Sequence, residues 1–125
     1  MLLSFNQNKP KGFWGEQQVV NWLQKYNYTI LTQNYACKFG EIDIIAKKQN
    51  VISFIEVKTR VTTYFDLSEL ITPSKQKKII ATAKRYIALY GKQHQVYQFD
   101  VALVEKTSQG LIVNYIANAF YGSEF

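Results

Sequence analysis

Two apolar runs flank four polar residues: Glu41-Ile42-Asp43-Ile44-Ile45-Ala46, then Lys47-Lys48-Gln49-Asn50, then Val51 to Lys58. Short β-prone runs joined by so brief a turn predict neighbouring strands of an antiparallel hairpin. The flanking segments add layers to it. Residues 12–26 read as a helix, with Val19, Val20, Leu23 and Tyr26 at helical spacing and Trp22 beside them. Asn27 closes that helix, because Asn tolerates the left-handed conformation wanted just past a helix end. Tyr28 to Ala36 is a first strand, punctuated by Gly40 before the hairpin. Thr59 to Ile71 reads as an irregular loop. Thr72-Pro73 then opens a long helix, with Thr as N-cap and Pro at the first helical position. Ile79, Ile80, Ala83, Ile87 and Tyr90 form its apolar stripe, and Gly91 ends it. Val96–Glu105 and Leu111–Ala117 are two further strands around the Lys106–Gly110 turn. The expected order is αβββαββ, an α/β layer architecture with helices covering a mixed sheet of about five strands.

Composition excludes several chemistries. Cys37 and His94 are the only residues of their types in 125, so no intrachain disulfide forms and Cys/His zinc sites and Ser-His-Asp triads lack their parts. No apolar run approaches the roughly 20 residues of a membrane span, and Met1 to Phe5 is too short for a signal-peptide core. A soluble, cytoplasmic protein without a membrane partner is the expectation. Residues 1–11 read as an N-terminal extension, 12–120 as one domain and 121–125 as a tail, with a translated cloning scar as an alternative origin for its last four residues. Fifteen basic against nine acidic residues leave a formal charge of +6, which suits a polyanion partner. Lys75, Lys77, Lys78, Lys84, Arg85 and Lys92 follow one another with no acid between them.

The acids gather upstream instead. Side chains alternate along a strand, so Glu56 and Lys58 share one face and Val57 takes the other. If the hairpin forms, Asp43 lies beside Glu56. Two carboxylates about 4 Å apart repel by roughly 1 kcal/mol in water and by more when buried, which a divalent cation between them would relieve. Oxygen ligands favour Mg²⁺ or Mn²⁺, and Lys58 nearby would orient a water or stabilise phosphate charge. An ordinary alternative stands for each residue. Glu56 and Lys58 also suit a solvated ion pair, Asp43 the wet face of an alternating strand, and Glu16 an acid favoured by the helix dipole. Asp100 reads as solvent-facing or ion-paired.

These residues carry a family resemblance. Gly12-Phe13-Trp14-Gly15-Glu16, Asn34 with Gly40-Glu41-Ile42-Asp43-Ile44-Ile45-Ala46, Phe54-Ile55-Glu56-Val57-Lys58-Thr59-Arg60, Pro73 with Lys75, and Phe99-Asp100-Val101 resemble the YraN family of small bacterial proteins. That family is grouped with the PD-(D/E)XK, restriction-endonuclease-like superfamily, and the chain is also similar to archaeal-type Holliday junction resolvases. The resemblance implies a nuclease core in which Asp43 and Glu56 bind the metal and Lys58 assists catalysis. It further implies that Glu16 joins the metal shell and that the Val57 carbonyl faces the ion. Asn27, Lys47-Lys48 and Asp66 depart from the family pattern without touching those positions.

The expectation is a metal-dependent endonuclease acting on branched or structured DNA, with Glu16, Asp43, Glu56 and Lys58 catalytic. Lys75, Gln76, Lys77, Lys78, Lys84, Arg85 and Arg60 would contact nucleic acid, chiefly its phosphates. Tyr64 and Phe65 suit either base stacking or loop packing. A homodimer would cut two strands of a junction. The alternative is a nucleic-acid-binding accessory module without catalysis, and cleavage of RNA is a third reading.

Overall fold

The computed structural model describes residues 13–60 and 71–122. Its elements are α1 (Phe13–Lys25), β1 (Thr29–Cys37), β2 (Gly40–Lys48), β3 (Val51–Arg60), α2 (Pro73–Tyr90), β4 (Val96–Thr107) and β5 (Gly110–Phe120). They follow the expected order αβββαββ. The five strands form one sheet in the order β1-β2-β3-β4-β5, antiparallel except where β3 meets β4. A parallel neighbour requires a crossover, and the chain between β3 and β4 contains α2. The result is a mixed α/β sheet with a helix on each face, in keeping with a restriction-endonuclease-like fold.

Each face has its own apolar core. Val19, Val20 and Leu23 of α1 pack on Ile44, Ala46, Ile55, Ala102 and Val104. Ile79 and Ala83 of α2 pack on the other face, among Ile42, Ile45, Ile52, Phe54, Phe99, Val101 and Leu103. The alternation along β4 explains why that strand is apolar nearly throughout: successive residues serve opposite cores, as in any strand covered on both sides. Burying Leu23 completely contributes about 1.5–3 kcal/mol to holding α1 against the sheet.

Local signals explain most element ends. Asn27 is left-handed, with φ 70°, just past α1. Thr72 Oγ1 accepts the Lys75 N–H at 3.2 Å and Pro73 stands at the first turn, so α2 starts where cap and proline put it. Gly91 ends α2 in extended backbone, donating its N–H to the Ile87 carbonyl at 2.7 Å. The strands run further than periodicity suggests: β2 reaches Lys48, leaving Gln49-Asn50 as the turn, and β5 reaches Phe120. In α2 the buried stripe is shifted. Tyr90 is 57% exposed, while Thr82 is buried and gives its hydroxyl to the Lys78 carbonyl at 2.8 Å. A hydroxyl that bonds its own helix is no obstacle to burial.

Candidate active site

The hairpin places Asp43 beside the end of β3, by a device the sequence pattern hides. Strict alternation would put Ile42 and Ile44 on one face, yet Ile42 lies in the α2-side core and Ile44 in the α1-side core. The facing strand keeps its register through this level, with Gln33 opposite Ile44 and Tyr35 opposite Ile42, so the change of face is shared by both strands. Between those pairs stand Asn34, in left-handed backbone at φ 54°, and Asp43. The β2–β3 register likewise runs only from Lys48–Val51 to Ile44–Ile55. Beyond it Asp43 Oδ2 accepts the Val57 N–H at 2.8 Å, so a carboxylate replaces the next ladder carbonyl. The N–H and C=O of a strand residue point toward the same neighbour, which leaves the Val57 carbonyl on that same edge.

Glu56 is 6% exposed and lies on the α2 side with Lys58. Lys58 Nζ is 3.8 Å from Glu56 Oε1, and Lys75 Nζ, from the first turn of α2, is nearer at 3.4 Å. Lys75 therefore enters the site itself, where the sequence suggested only a phosphate contact. Burial, then the Asp43 charge, raises the Glu56 carboxyl above its ordinary pKa, against the pull of both lysines. Burial also raises Asp43, opposed chiefly by the Val57 N–H.

Glu16 approaches from α1 and is pushed up to about 7, first by burial and then by Asp43, Glu41 and Glu56. In the amide orientation its surroundings require, Asn34 donates to Glu16 Oε1 at 3.0 Å and to Glu41 Oε1 at 3.2 Å. The side chain opposite Asp43 in the ladder thus ties the helix acid to the sheet. Helix and strand also come together closely at Gly15, where a Cβ would fall well inside contact distance of Thr59 Oγ1. Among the described residues, no three His, Cys, Asp or Glu side chains form a ready cage for a metal ion. Asp43 lies near enough to Glu56 for its charge to raise that carboxyl, and two acids with backbone and water oxygens are an ordinary set for Mg²⁺.

The cations of α2 diverge. Lys75 faces Glu56, Lys78 stands over Gly40 of the β1–β2 turn, and Arg85 lies near Cys37. Lys77 and Lys84 line a groove on the outer face with Gln76, whose amide nitrogen donates to the Ile71 carbonyl at 3.1 Å. Arg60 ends β3 at half-buried depth. Tyr64, Phe65 and Asp66 lie outside the described residues. Asp100 needs correction, for it is fully buried. Gln98 Nε2 reaches both its oxygens at 3.2 Å, the Asn118 N–H donates to Oδ1 at 2.9 Å, and the Tyr115 hydroxyl donates to Oδ2. Polar partners from a neighbouring strand, invisible to local patterning, make that burial tolerable.

A family model described as "Uncharacterised protein family UPF0102" matches residues 15–104, which include Glu16, Asp43, Glu56, Lys58 and Lys75. The chain belongs to the UPF0102 (YraN) family. It is 41% identical over 116 residues to a UPF0102 protein of Clostridium perfringens, covering 90% of this chain and 95% of that one. A Clostridium botulinum UPF0102 protein is 44% identical over 117 residues, again with 90% and 95% covered. A third, from Caldicellulosiruptor saccharolyticus, is 41% identical over 109 residues, covering 85% and 92%. These relatives cover 85–90% of the chain, so the similarity extends over most of it. Asn34 and Lys75 are among the residues that carry the resemblance, but their contacts with Glu16 and Glu56 come only from the fold.

Proposed function

We propose that this UPF0102 protein is a divalent-metal-dependent nuclease that hydrolyses phosphodiester bonds in DNA, with branched or structured DNA as its substrate. The observation that carries the reading is the meeting of Asp43 and Glu56 at the open end of the β2–β3 ladder, with Lys58 and Lys75 beside Glu56. Burial raises both carboxyl groups, with the Asp43 charge adding to it at Glu56 and the Glu41 charge at Asp43, a strain that a cation would relieve. Asp43, Glu56 and the Val57 carbonyl would hold Mg²⁺ or Mn²⁺, with Glu16 joining directly or through water. When bound, such an ion supplies a water of lowered pKa and shields phosphate charge. Lys58 orients the attacking water and Lys75 draws the phosphate toward the acids. Asn34 keeps Glu16 turned into the site.

Cleavage of a labelled four-way junction, beside duplex and single strand, tests this with Mg²⁺, Mn²⁺ or EDTA. The expected result is metal-dependent cutting of the junction. Asp43→Asn, Glu56→Gln and Lys58→Ala should each lose at least about 10²-fold in rate while binding is kept. A Lys58→Ala protein that cuts as fast as wild type would defeat the assigned mechanism. One observation favours a second reading, a nucleic-acid-binding module without catalysis: two lysines already neutralise Glu56 without an ion. Binding of DNA with no turnover under any metal supports that reading.

A further inference from the structure

Two ammonium groups meet on a single oxygen of the site. Lys75 Nζ lies 3.4 Å from Glu56 Oε1, and Lys58 Nζ lies 3.8 Å from the same atom. The two lysines are held differently. Lys58 belongs to β3, two positions beyond Glu56 on the same face of the strand. Lys75 comes from α2, where Thr72 Oγ1 accepts its N–H at 3.2 Å and fixes its backbone in the first turn. That is the wrong end of a helix for a cation. The macrodipole is positive there, and no acid in the first turn of α2 offsets it. The Lys75 ammonium is therefore drawn to the carboxylates of the sheet against repulsion from its own helix. It is also the more accessible of the pair, with 45% of its side chain exposed against 31% for Lys58. Burial raises both Asp43 and Glu56, and of the two lysines that oppose it Lys75 pulls harder at each.

These positions set up a competition. The carboxylates that draw Lys75 are those that would hold a divalent ion, and two cations on one carboxylate repel each other. A substrate phosphate, arriving from solvent, offers the ammonium another anion. We infer that Lys75 couples metal binding to nucleic-acid binding: its charge weakens the hold of Asp43 and Glu56 on a divalent ion until a phosphate takes the lysine over. The inference rests on the metal-dependent reading of the preceding section and adds how that site is regulated. The reverse follows by linkage. An ion that repels Lys75 from Glu56 frees a cation for phosphate, so each ligand strengthens the other by the same factor. Lys75 acts on the metal through Glu56 and is a positioning residue for it.

Mn²⁺ affinity, read from the electron paramagnetic resonance signal of the free ion, tests this without a cleavage step. At about 10 mM ionic strength, where screening is weak, Lys75→Met should bind Mn²⁺ about tenfold more tightly than wild type. Damage to a merely structural contact would weaken the ion instead. Lys75→Arg keeps the charge and should bind as wild type. Lys77→Met removes the same charge two positions on, from the outer face of α2, and should gain far less. Asp43→Asn should lose the ion with or without Lys75. The second readout is anisotropy of a labelled four-way junction with phosphorothioate linkages, checked on a gel to be intact, in EDTA and in Mn²⁺. Mn²⁺ should strengthen junction binding by a factor about tenfold larger for wild type than for Lys75→Met, the same coupling seen from the other ligand. Unchanged or weaker Mn²⁺ binding in Lys75→Met, an equal gain in Lys77→Met, or equal enhancement of junction binding in both proteins would overturn the inference. With the ion still lost in Asp43→Asn, each of those results leaves the metal site standing. No Mn²⁺ binding by wild type or by Lys75→Met would remove the metal reading, and this inference with it. Coupled binding without turnover would sink only the nuclease activity.

Discussion

Glu16 sets the pH response of the site. Its carboxyl is held near 7, above the ordinary value of 4.5, so the folded protein binds that proton more tightly than the unfolded chain does. The stabilising contribution is full below about pH 4.5 and is lost as pH rises through about 7. Asp43 and Glu56 are shifted in the same direction and add to the trend. In EDTA the thermal midpoint should therefore fall between about pH 5 and pH 8. Glu16→Gln should remove part of that fall, by a few degrees at most because the side chain is only half-buried. Adding Mg²⁺ at about pH 8 should raise the wild-type midpoint, by the equivalent of about 2.7 kcal/mol at a hundred times its Kd. Asp43→Asn should not respond. A wild-type midpoint indifferent to both pH and Mg²⁺ would mean that these carboxyls do not form a cation site.

At the level of elements, the site depends on how closely α1 lies on β3. Gly15 leaves no room for a methyl group against Thr59 Oγ1, while the Thr59 Cβ is at an ordinary 3.7 Å from the same point. Gly15→Ala should cost about 1–3 kcal/mol by overpacking, less up to about 1 kcal/mol from improved helix propensity. Adding Thr59→Ala removes the obstructing oxygen, so the double variant should recover most of the loss in urea denaturation. Additive losses would show that the close approach is not what Gly15 serves. The paired change of face at Asn34 and Asp43 works at the same scale. It turns an acid out of a regular ladder and aims it at β3, as local strand irregularities beside functional residues commonly do.

Across the molecule, the Asp100 cluster joins pieces distant in sequence. Four residue steps of β5 face two of β4 between the Phe99–Phe120 and Val101–Ile116 pairs, and Asp100 fills the gap by accepting the Asn118 N–H. Tyr115, which also bonds Asp100, stacks on Trp22 of α1 at 4.9 Å. Burial and the Asp100 charge hold the Tyr115 hydroxyl well above its usual pKa, so it stays a donor. Asp100→Ala should leave these donors unpaired and cost about 3 kcal/mol in chemical denaturation. Activity per folded molecule should be kept, since none of these contacts involves Asp43, Glu56, Lys58 or Lys75. A destabilisation below about 1 kcal/mol would mean that water replaces the carboxylate without penalty.

What the sequence by itself determined was local. Apolar spacing placed both helices and all five strands, because burial imposes a period of 3.6 or 2 that survives in a linear string. Thr72-Pro73 and Asn27 marked ends through their own backbone chemistry. Hairpin pairing put Asp43 at the level of Glu56, while the break in alternation that turns it to the Val57 N–H came from the fold. The tertiary structure decided whatever depends on partners remote in sequence. Lys75 turns to Glu56 because the packing of α2 on the sheet brings its first turn within reach of that carboxylate, and no period distinguishes that lysine from Lys77 two positions on. Asp100 is buried because β5 brings Tyr115 and Asn118 to it. Asn34 reaches Glu16 only where both strands change face together, which alternation cannot register because it is a break in the alternation itself.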